Sequence, residues 1–277
     1  MKIGIVGLGL IGGSYAKALK PFQHELIGYD INPHTIEYAI KNNIVDKAYL
    51  DTTHELSSCD VVFICLYPQD TINYIHQHQT MFKKGAIISD VAGVKEHLMN
   101  QCLDHSQPFE IVFAHPIAGR ETSGIDSSKY GLFQEMNFII TPHQYNTEKG
   151  INTIQSLAKA MGFKHISLMS AKEHDQTIGY TSQLTHVIAL SLVNASDYRE
   201  NTKFAIGDSY KDLTRIARMN ENLWSELFLS NHDHLLDIIE HFEQSLHAVK
   251  TAIKQNDAKT LKQLMRQSTK RRSDLDD

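Results

Sequence analysis

Seven short apolar runs mark the first 168 residues: Ile3–Val6, Glu25–Tyr29, Val61–Leu66, Ala86–Ser89, Ile111–Phe113, Phe138–Thr141 and His165–Leu168. Each is rich in β-branched or aromatic residues and stops near Gly, Asp or Pro. The stretches between them, such as Ile11–Leu19 and Thr35–Asn43, carry apolar residues at helical spacing. Strand–helix alternation at this pitch predicts a mostly parallel, doubly wound sheet.

The pattern changes at Ser170. Ser170-Ala171-Lys172-Glu173 reads as a capping box opening a long helix, whose apolar positions Ile178, Leu184, Val187, Ile188, Leu190, Leu192 and Val193 cover much of its circumference up to about Tyr198. No proline and no convincing strand follow. A polar loop near Arg199–Ser209 leads to helices near Asn222–Leu229, His232–Gln255 and Asp257–Arg272. The expected organisation is an α/β domain over residues 1–169 and an all-helical domain over 170–277. A helix apolar on so many sides points to burial against a second copy, with a monomeric bundle as the other option.

Composition narrows the partners. Lys plus Arg number 27 against 32 Asp plus Glu, a formal charge of -5, so nothing attracts nucleic acid or an anionic membrane. No apolar run approaches membrane-spanning length, and no signal peptide is expected from the N-terminal residues. Cys59, Cys65 and Cys102 form no CxxC, which favours a reducing, cytoplasmic setting.

The first strand runs directly into Gly7-Leu8-Gly9-Leu10-Ile11-Gly12-Gly13, at the start of a helix. In that context Gly7 permits a tight turn, Gly9 lets a diphosphate approach, and Gly12 lets helix and strand pack closely. Asp30 closes the second strand, where a carboxylate accepts hydrogen bonds from both ribose hydroxyls and repels a 2′-phosphate. The cofactor expected is therefore NAD, held by Gly7, Gly9, Leu10, Ile11, Gly12 and Asp30, with Leu66 and Asp90 at later strand ends.

His115 follows the fifth run within Phe113-Ala114-His115-Pro116, on the side where such sheets bind ligands. The following proline favours extended backbone, and imidazole is suited to taking an alcohol proton near neutral pH. Ser182 and His186 lie four apart on the long helix and share a face. The segment Gly207–Ala217 concentrates charge in Asp208, Lys211, Asp212 and Arg215. Read alone it is equally a solvated helix start with an Asp212–Arg215 pair.

With these motifs in hand, the chain resembles the prephenate and arogenate dehydrogenases of tyrosine biosynthesis over essentially its whole length. The resemblance rests on Gly7–Ser14, Gly28–Pro33, Asp90–Lys95, His115–Gly119, His174-Asp175, Ser182–His186 and Asp212–Ala217 with Trp224. It implies a Rossmann-type domain followed by a helical dimerisation domain, with a homodimer as the assembly and the active site between the domains. It also implies His115 as the proton acceptor, Arg215 on a substrate carboxylate, His186 and Ser182 in the substrate pocket, and Trp224 near the subunit interface. Glu121, Lys211 and Asp212 correspond to an ionic network at the pocket mouth. Prephenate is the expected substrate, with arogenate, or both substrates as in a cyclohexadienyl dehydrogenase, as the alternatives, and Asp208 is a candidate carboxylate for the arogenate ammonium. The chain departs from the family pattern at Gly93 (usually Ser), Gln183 (often His), Thr185 (often Pro) and Asp208-Ser209 (often Gly-Gly).

Two other readings stay open on the residues alone. A β-hydroxyacid dehydrogenase or imine reductase would carry a Lys on the long helix, where this chain has Ser182 and His186. A non-catalytic NAD-sensing module is the second. The pairs His76/His78 and His232/His234 read as solvated side chains, since no metal-binding motif accompanies them.

Overall fold

The computed structural model describes residues 1–51, 55–104, 106–119, 122–195 and 200–275. The predicted β-rich runs become strands. β1 (Lys2–Val6), β2 (Glu25–Tyr29), β3 (Lys47–Tyr49), β4 (Val61–Ile64), β5 (Ile87–Asp90) and β6 (Glu110–Ile111) form one sheet in the order β3-β2-β1-β4-β5-β6. Every pairing in it is parallel. Helices α1 (Leu10–Leu19), α2 (Pro33–Lys41), α3 (Pro68–His78) and α4 (Glu96–Cys102) connect these strands. Alternate residues feed two cores: Val61 and Phe63 face one side of the sheet, Val62 and Ile64 the other. A sheet covered on both faces explains runs that are apolar throughout rather than alternating.

Two sequence expectations need correcting. β3 was not expected, because a three-residue edge strand reading Lys-Ala-Tyr carries almost no hydrophobic signal. The run Ile111–Phe113 is two strands in two sheets. Val112 N still donates to Ile88 O at 2.8 Å, continuing the first sheet. The chain then crosses into β7 (Phe113–Ile117), antiparallel to β8 (Asn137–Thr141), and β8 pairs in parallel with β9 (His165–Leu168). Helix α5 (Glu148–Met161) links β8 to β9. Tyr15 joins the layers edge-on, its ring centroid 5.1 Å from those of Phe63 and Phe133.

Among the described residues no strand follows β9. Ser170 Oγ accepts from Glu173 N at 3.2 Å and opens α6 (Ala171–Ile178). A π-turn over Gly179–Gln183 then joins α6 to α7 (Leu184–Asn194), so the predicted long helix is continuous but locally widened. Tyr198 lies outside the described residues. Leu190, Leu192 and Val193 on α7 remain 39%, 37% and 38% exposed. α8 (Asp208–Thr214), within the charged segment, and α9 (Glu221–Ser230) follow.

The chain divides into two compact units, Met1–Asn231 and His232–Asp277. Helices α6 to α9 belong with the sheets, tied to them by Asp175, which accepts from Lys95 N and Glu96 N at 2.8 Å each, and by Glu226, which accepts from Gln69 N at 3.0 Å. The second unit is a helical hairpin of α10 (His232–Lys254) and α11 (Ala258–Ser273). Asp257 caps α11 by accepting from Lys259 N and Thr260 N at 3.0 Å.

Candidate active site

The glycine turn meets the demands read from the sequence. Gly7 has φ +83°, and its N–H donates to Tyr29 O at 2.8 Å. A Cβ on Gly12 would stand 2.0 Å from Gly7 O, so only glycine lets α1 pack this close to the turn. Gly9 caps α1 without a side chain, no acid occupies the first turn, and nothing lies within 4 Å of where its Cβ would be. The positive end of α1 is therefore bare and approachable by a diphosphate. Leu10 and Ile11 are half-buried beside it, and Leu66 lies over Gly7. Asp30 is half-buried; Oδ2 accepts from Leu8 N and Oδ1 from Asn32 N, each at 2.9 Å. Its carboxylate is thereby fixed while each oxygen retains acceptor capacity for a diol. These residues fit a dinucleotide.

Asp90 is placed differently from its expected role. It is 1% exposed, and its oxygens are taken up by Lys95 Nζ at 2.6 Å, Ala92 N at 2.8 Å and Ala114 N at 3.0 Å. Its carboxylate braces the strand end from inside the protein instead of reaching a nucleotide. The partner Lys95 is fully buried and also donates to Ala92 O at 2.8 Å.

One residue beyond Ala114, His115 stands half-buried on β7. Its Nδ1 lies 2.9 Å from His174 Nε2, and His174 Nδ1 lies 2.6 Å from Asp175 Oδ1. Burial, then the neighbouring His174 and the Lys95 charge, push the His115 pKa well below its ordinary value. Burial also lowers that of His174, against the opposing pull of the Asp175 hydrogen bond. Both imidazoles are neutral near pH 7, the state a proton acceptor needs. The Cε1–Nε2 edge of His115 faces Gly93, whose Cβ, if present, would lie 3.7 Å from both atoms. Leu227 Cδ2 lies 3.2 Å from the same Cβ position.

The remaining candidates fall on two helices and a turn. Ser182 sits in the π-turn, and its carbonyl lies 2.9 Å from His186 Nδ1. The His186 ring stacks on Trp224 with centroids 3.5 Å apart, and Trp224 in turn leans on Phe228 at 5.5 Å. Leu227 on the same helix α9 reaches Gly93, so α9 connects the His115 end of the site to His186. Asp208, Lys211 and Asp212 are exposed on α8, with Lys211 Nζ 3.4 Å from Asp208 Oδ1, and Arg215 is exposed in the short turn that follows. α7 packs on both α8 and that turn. Glu121 lies outside the described residues.

Sequence reasoning gave no site role to Lys95, His174, Asp175, Gln183 or Asn231. Gln183 Nε2 donates to Leu227 O at 3.1 Å, while Asn231 Nδ2 donates to Gln183 Oε1 at 2.7 Å and to Asp175 O at 2.9 Å. This buried network ties the π-turn to the end of α9 and to the segment carrying His174. The signals in the chain were the adjacent pair His174-Asp175 near a helix start, the Asp90–Lys95 motif and the unusual Gln183.

A family profile for the prephenate dehydrogenase nucleotide-binding domain matches residues 15–167, and the profile for the prephenate dehydrogenase dimerization domain matches residues 170–267. The chain belongs to the prephenate dehydrogenase family. It is 32% identical to a cyclohexadienyl dehydrogenase of Zymomonas mobilis, over 98% of this chain and 94% of that protein. It also superposes on a prephenate dehydrogenase of A. aeolicus, solved with hydroxyphenyl propionate and NAD+, with TM-score 0.89 and 28% identity over 99% of this chain and 98% of that one. A Synechocystis arogenate dehydrogenase superposes with TM-score 0.84 and 27% identity, over 99% and 100% of the two chains. The glycine turn at Gly7–Gly13 lies just ahead of the first matched stretch. The dimerization match of this prephenate dehydrogenase family member takes in α7, with its exposed Leu190, Leu192 and Val193.

Proposed function

We propose that the protein is an NAD-dependent dehydrogenase that converts prephenate to 4-hydroxyphenylpyruvate. The observation that carries this reading is His115, a neutral imidazole on β7 whose Cε1–Nε2 edge faces Gly93. The Gly7–Gly12 turn with Leu10 and Ile11, together with Asp30 and Leu66, would hold NAD, which when bound would supply the hydride acceptor for the ring carbon bearing the hydroxyl. His115 accepts the hydroxyl proton, so that carbon becomes a ketone conjugated to the ring. Loss of the ring carboxylate as CO2 sends the electron pair of the broken C–C bond through the ring to that oxygen. The phenolate so formed recovers a proton from His115, and aromatisation makes the sequence effectively irreversible. The base is thus regenerated within one turnover, and the protein supplies geometry, a neutral imidazole and cations.

Arg215 and Lys211 are the cations assigned to the substrate carboxylates, with Arg suited to a bidentate clasp. His186, Ser182, Asp212 and Glu121 complete the proposed pocket. Residues 1–169 would hold the dinucleotide, and residues 170–277 would supply substrate contacts and a homodimer surface. Trp224 is assigned to the vicinity of that interface, and the enzyme to the cytoplasm. In support, all three cysteines are free, and among the described residues no helix is long and apolar enough to cross a membrane.

Arogenate is the second reading, favoured by one observation: the exposed Asp208 carboxylate at the start of α8, next to Lys211. An acid there would pair with the arogenate ammonium, whereas prephenate presents a keto group at the same place. Steady-state NADH formation with each substrate decides between them. Higher kcat/KM for prephenate is expected. Preference for arogenate that reverses in Asp208→Asn would replace the first reading by the second, and turnover of neither would refute both.

A further inference from the structure

Hydrogen-bond direction along the buried chain Asp175–His174–His115 is fixed from its inner end. The Asp175 carboxylate is 1% exposed and accepts from Lys95 N, Glu96 N and His174 Nδ1, at 2.8, 2.8 and 2.6 Å. A carboxylate receiving three N–H groups is satisfied as the anion and can only accept, so the His174 proton resides on Nδ1. His174 is fully buried and neutral, which leaves its Nε2 as a bare acceptor. The 2.9 Å contact then requires His115 to donate from Nδ1. A neutral His115 that carries its proton on Nδ1 has its lone pair on Nε2, a ring atom on the Gly93 side.

We infer that His174 and Asp175 are positioning residues that lock His115 in its Nδ1–H tautomer, so that Nε2 alone is presented as the proton acceptor. This rests on the reading of His115 as the base. The pair also bears on the charged state. When His115 takes up the substrate proton, a buried anion two hydrogen bonds away stabilises the imidazolium, while the adjacent neutral ring adds no like charge. Reversing either hydrogen bond would put the His115 proton on Nε2 and remove the acceptor from the reacting side without moving any side chain.

Lys95 gives the arrangement its rigidity. Its backbone N–H orients Asp175, and its ammonium grips Asp90, which holds the backbone N–H of Ala114 beside His115. The base and its tautomer lock are thus referenced to one loop, Asp90–Lys95, so they move together.

Two measurements test the inference. Long-range 1H–15N correlation on the 15N-histidine-labelled full chain, without substrate, reports which ring nitrogen is protonated; His115 is identified among the 16 histidines by its loss in His115→Gln. Nδ1–H is expected at His115, and finding Nε2–H there overturns the inference whatever the substrate proves to be. In Asp175→Asn an amide N–H can face His174 and reverse the chain. That variant should lose on the order of 10²–10⁴-fold in kcat with substrate KM and NAD affinity within about threefold, the pattern of a wrong tautomer. The pair His174→Gln and His174→Ala keeps the test sound if Asp175→Asn fails to fold. Gln can still accept from His115 Nδ1–H and should retain at least about tenfold more kcat than Ala, by the worth of one such hydrogen bond. Equal losses in the two variants would show that His174 merely fills space.

Discussion

Replacing Lys95 by Met should destabilise the protein far more than removing any cation from its surface. The ammonium is fully buried and lies 2.6 Å from Asp90, itself 1% exposed. Met conserves the length of the side chain but leaves the Asp90 anion with only the Ala92 and Ala114 N–H donors in a low-dielectric setting. Stranding one partner of a buried pair costs about 3–5 kcal/mol, because the remaining charge keeps its desolvation penalty and loses its compensation. Against a total stability of about 5–15 kcal/mol that is a large share, and it corresponds to a Tm lowered by about 6–20 °C. The assay is urea unfolding followed by circular dichroism, on wild type, Lys95→Met, Asp90→Asn and the double variant. Since the double variant removes both charges, it should recover most of the loss and give a coupling energy above about 2 kcal/mol. Added salt should leave the cost nearly unchanged, unlike that of Lys47→Met, where the pair to Glu55 is 44% and 28% exposed. A cost below about 1 kcal/mol for Lys95→Met, or additive single effects, would refute this account of the loop.

His115→Asn should lower kcat by about 10²–10⁴-fold with NAD affinity nearly unchanged; near-normal turnover would remove His115 from the chemistry. Because burial depresses its pKa, the acid limb of kcat/KM should fall below the ordinary imidazole value of about 6.5, and a limb at or above that value contradicts the environment described. The same depression at His115 and His174 means the unfolded chain binds more protons below about pH 6.5, so their stability contribution is complete above that pH and is lost as pH falls through it, measurable as a declining Tm. Asp30→Ser should weaken NAD and relax discrimination against NADP, and a wild type already preferring NADP would overturn the assignment of Asp30. Arg215→Ala should raise substrate KM strongly with little change in NAD binding, whereas a loss of stability alone would return Arg215 to a structural role.

The nucleotide half was legible because its signals are local. Gly7, Gly9, Gly12 and Asp30 fall in one strand–turn–helix–strand unit, and short-range sterics dictate each of them. β3 escaped for lack of length and apolar content. The division of Ile111–Phe113 escaped because nothing in those residues marks it: the chain changes sheets where Val112 still bonds to Ile88 while Ala114 N turns to the Asp90 side chain, and both partners lie more than twenty residues away in sequence. Long-range polar pairing likewise hid Lys95 and Asp175, which are 80 residues apart in sequence and meet only in the folded chain. A Lys before a helix and an Asp within the first turns of another each look solvated until their partners are known.

Gly93 and Gln183, noted separately as departures from the family pattern, converge on one side chain. Leu227 Cδ2 occupies the space over Gly93, 3.2 Å from where a Cβ would stand, and Gln183 Nε2 donates to the carbonyl of the same Leu227. A larger residue at position 93 would press on Leu227, and a residue at 183 unable both to donate to Leu227 O and to accept from Asn231 would leave polar groups of the buried network unmatched. The two positions therefore meet at one side chain: Gly93 leaves room for Leu227 Cδ2, and the buried amide network holds the Leu227 carbonyl. The same helix presents Trp224 to His186, so its depth over Gly93 also sets the position of the pocket's second histidine. A side chain at position 93 would have to displace Leu227 by a few tenths of an ångström, so the missing hydroxyl beside His115 and the seat of α9 are coupled through that one contact.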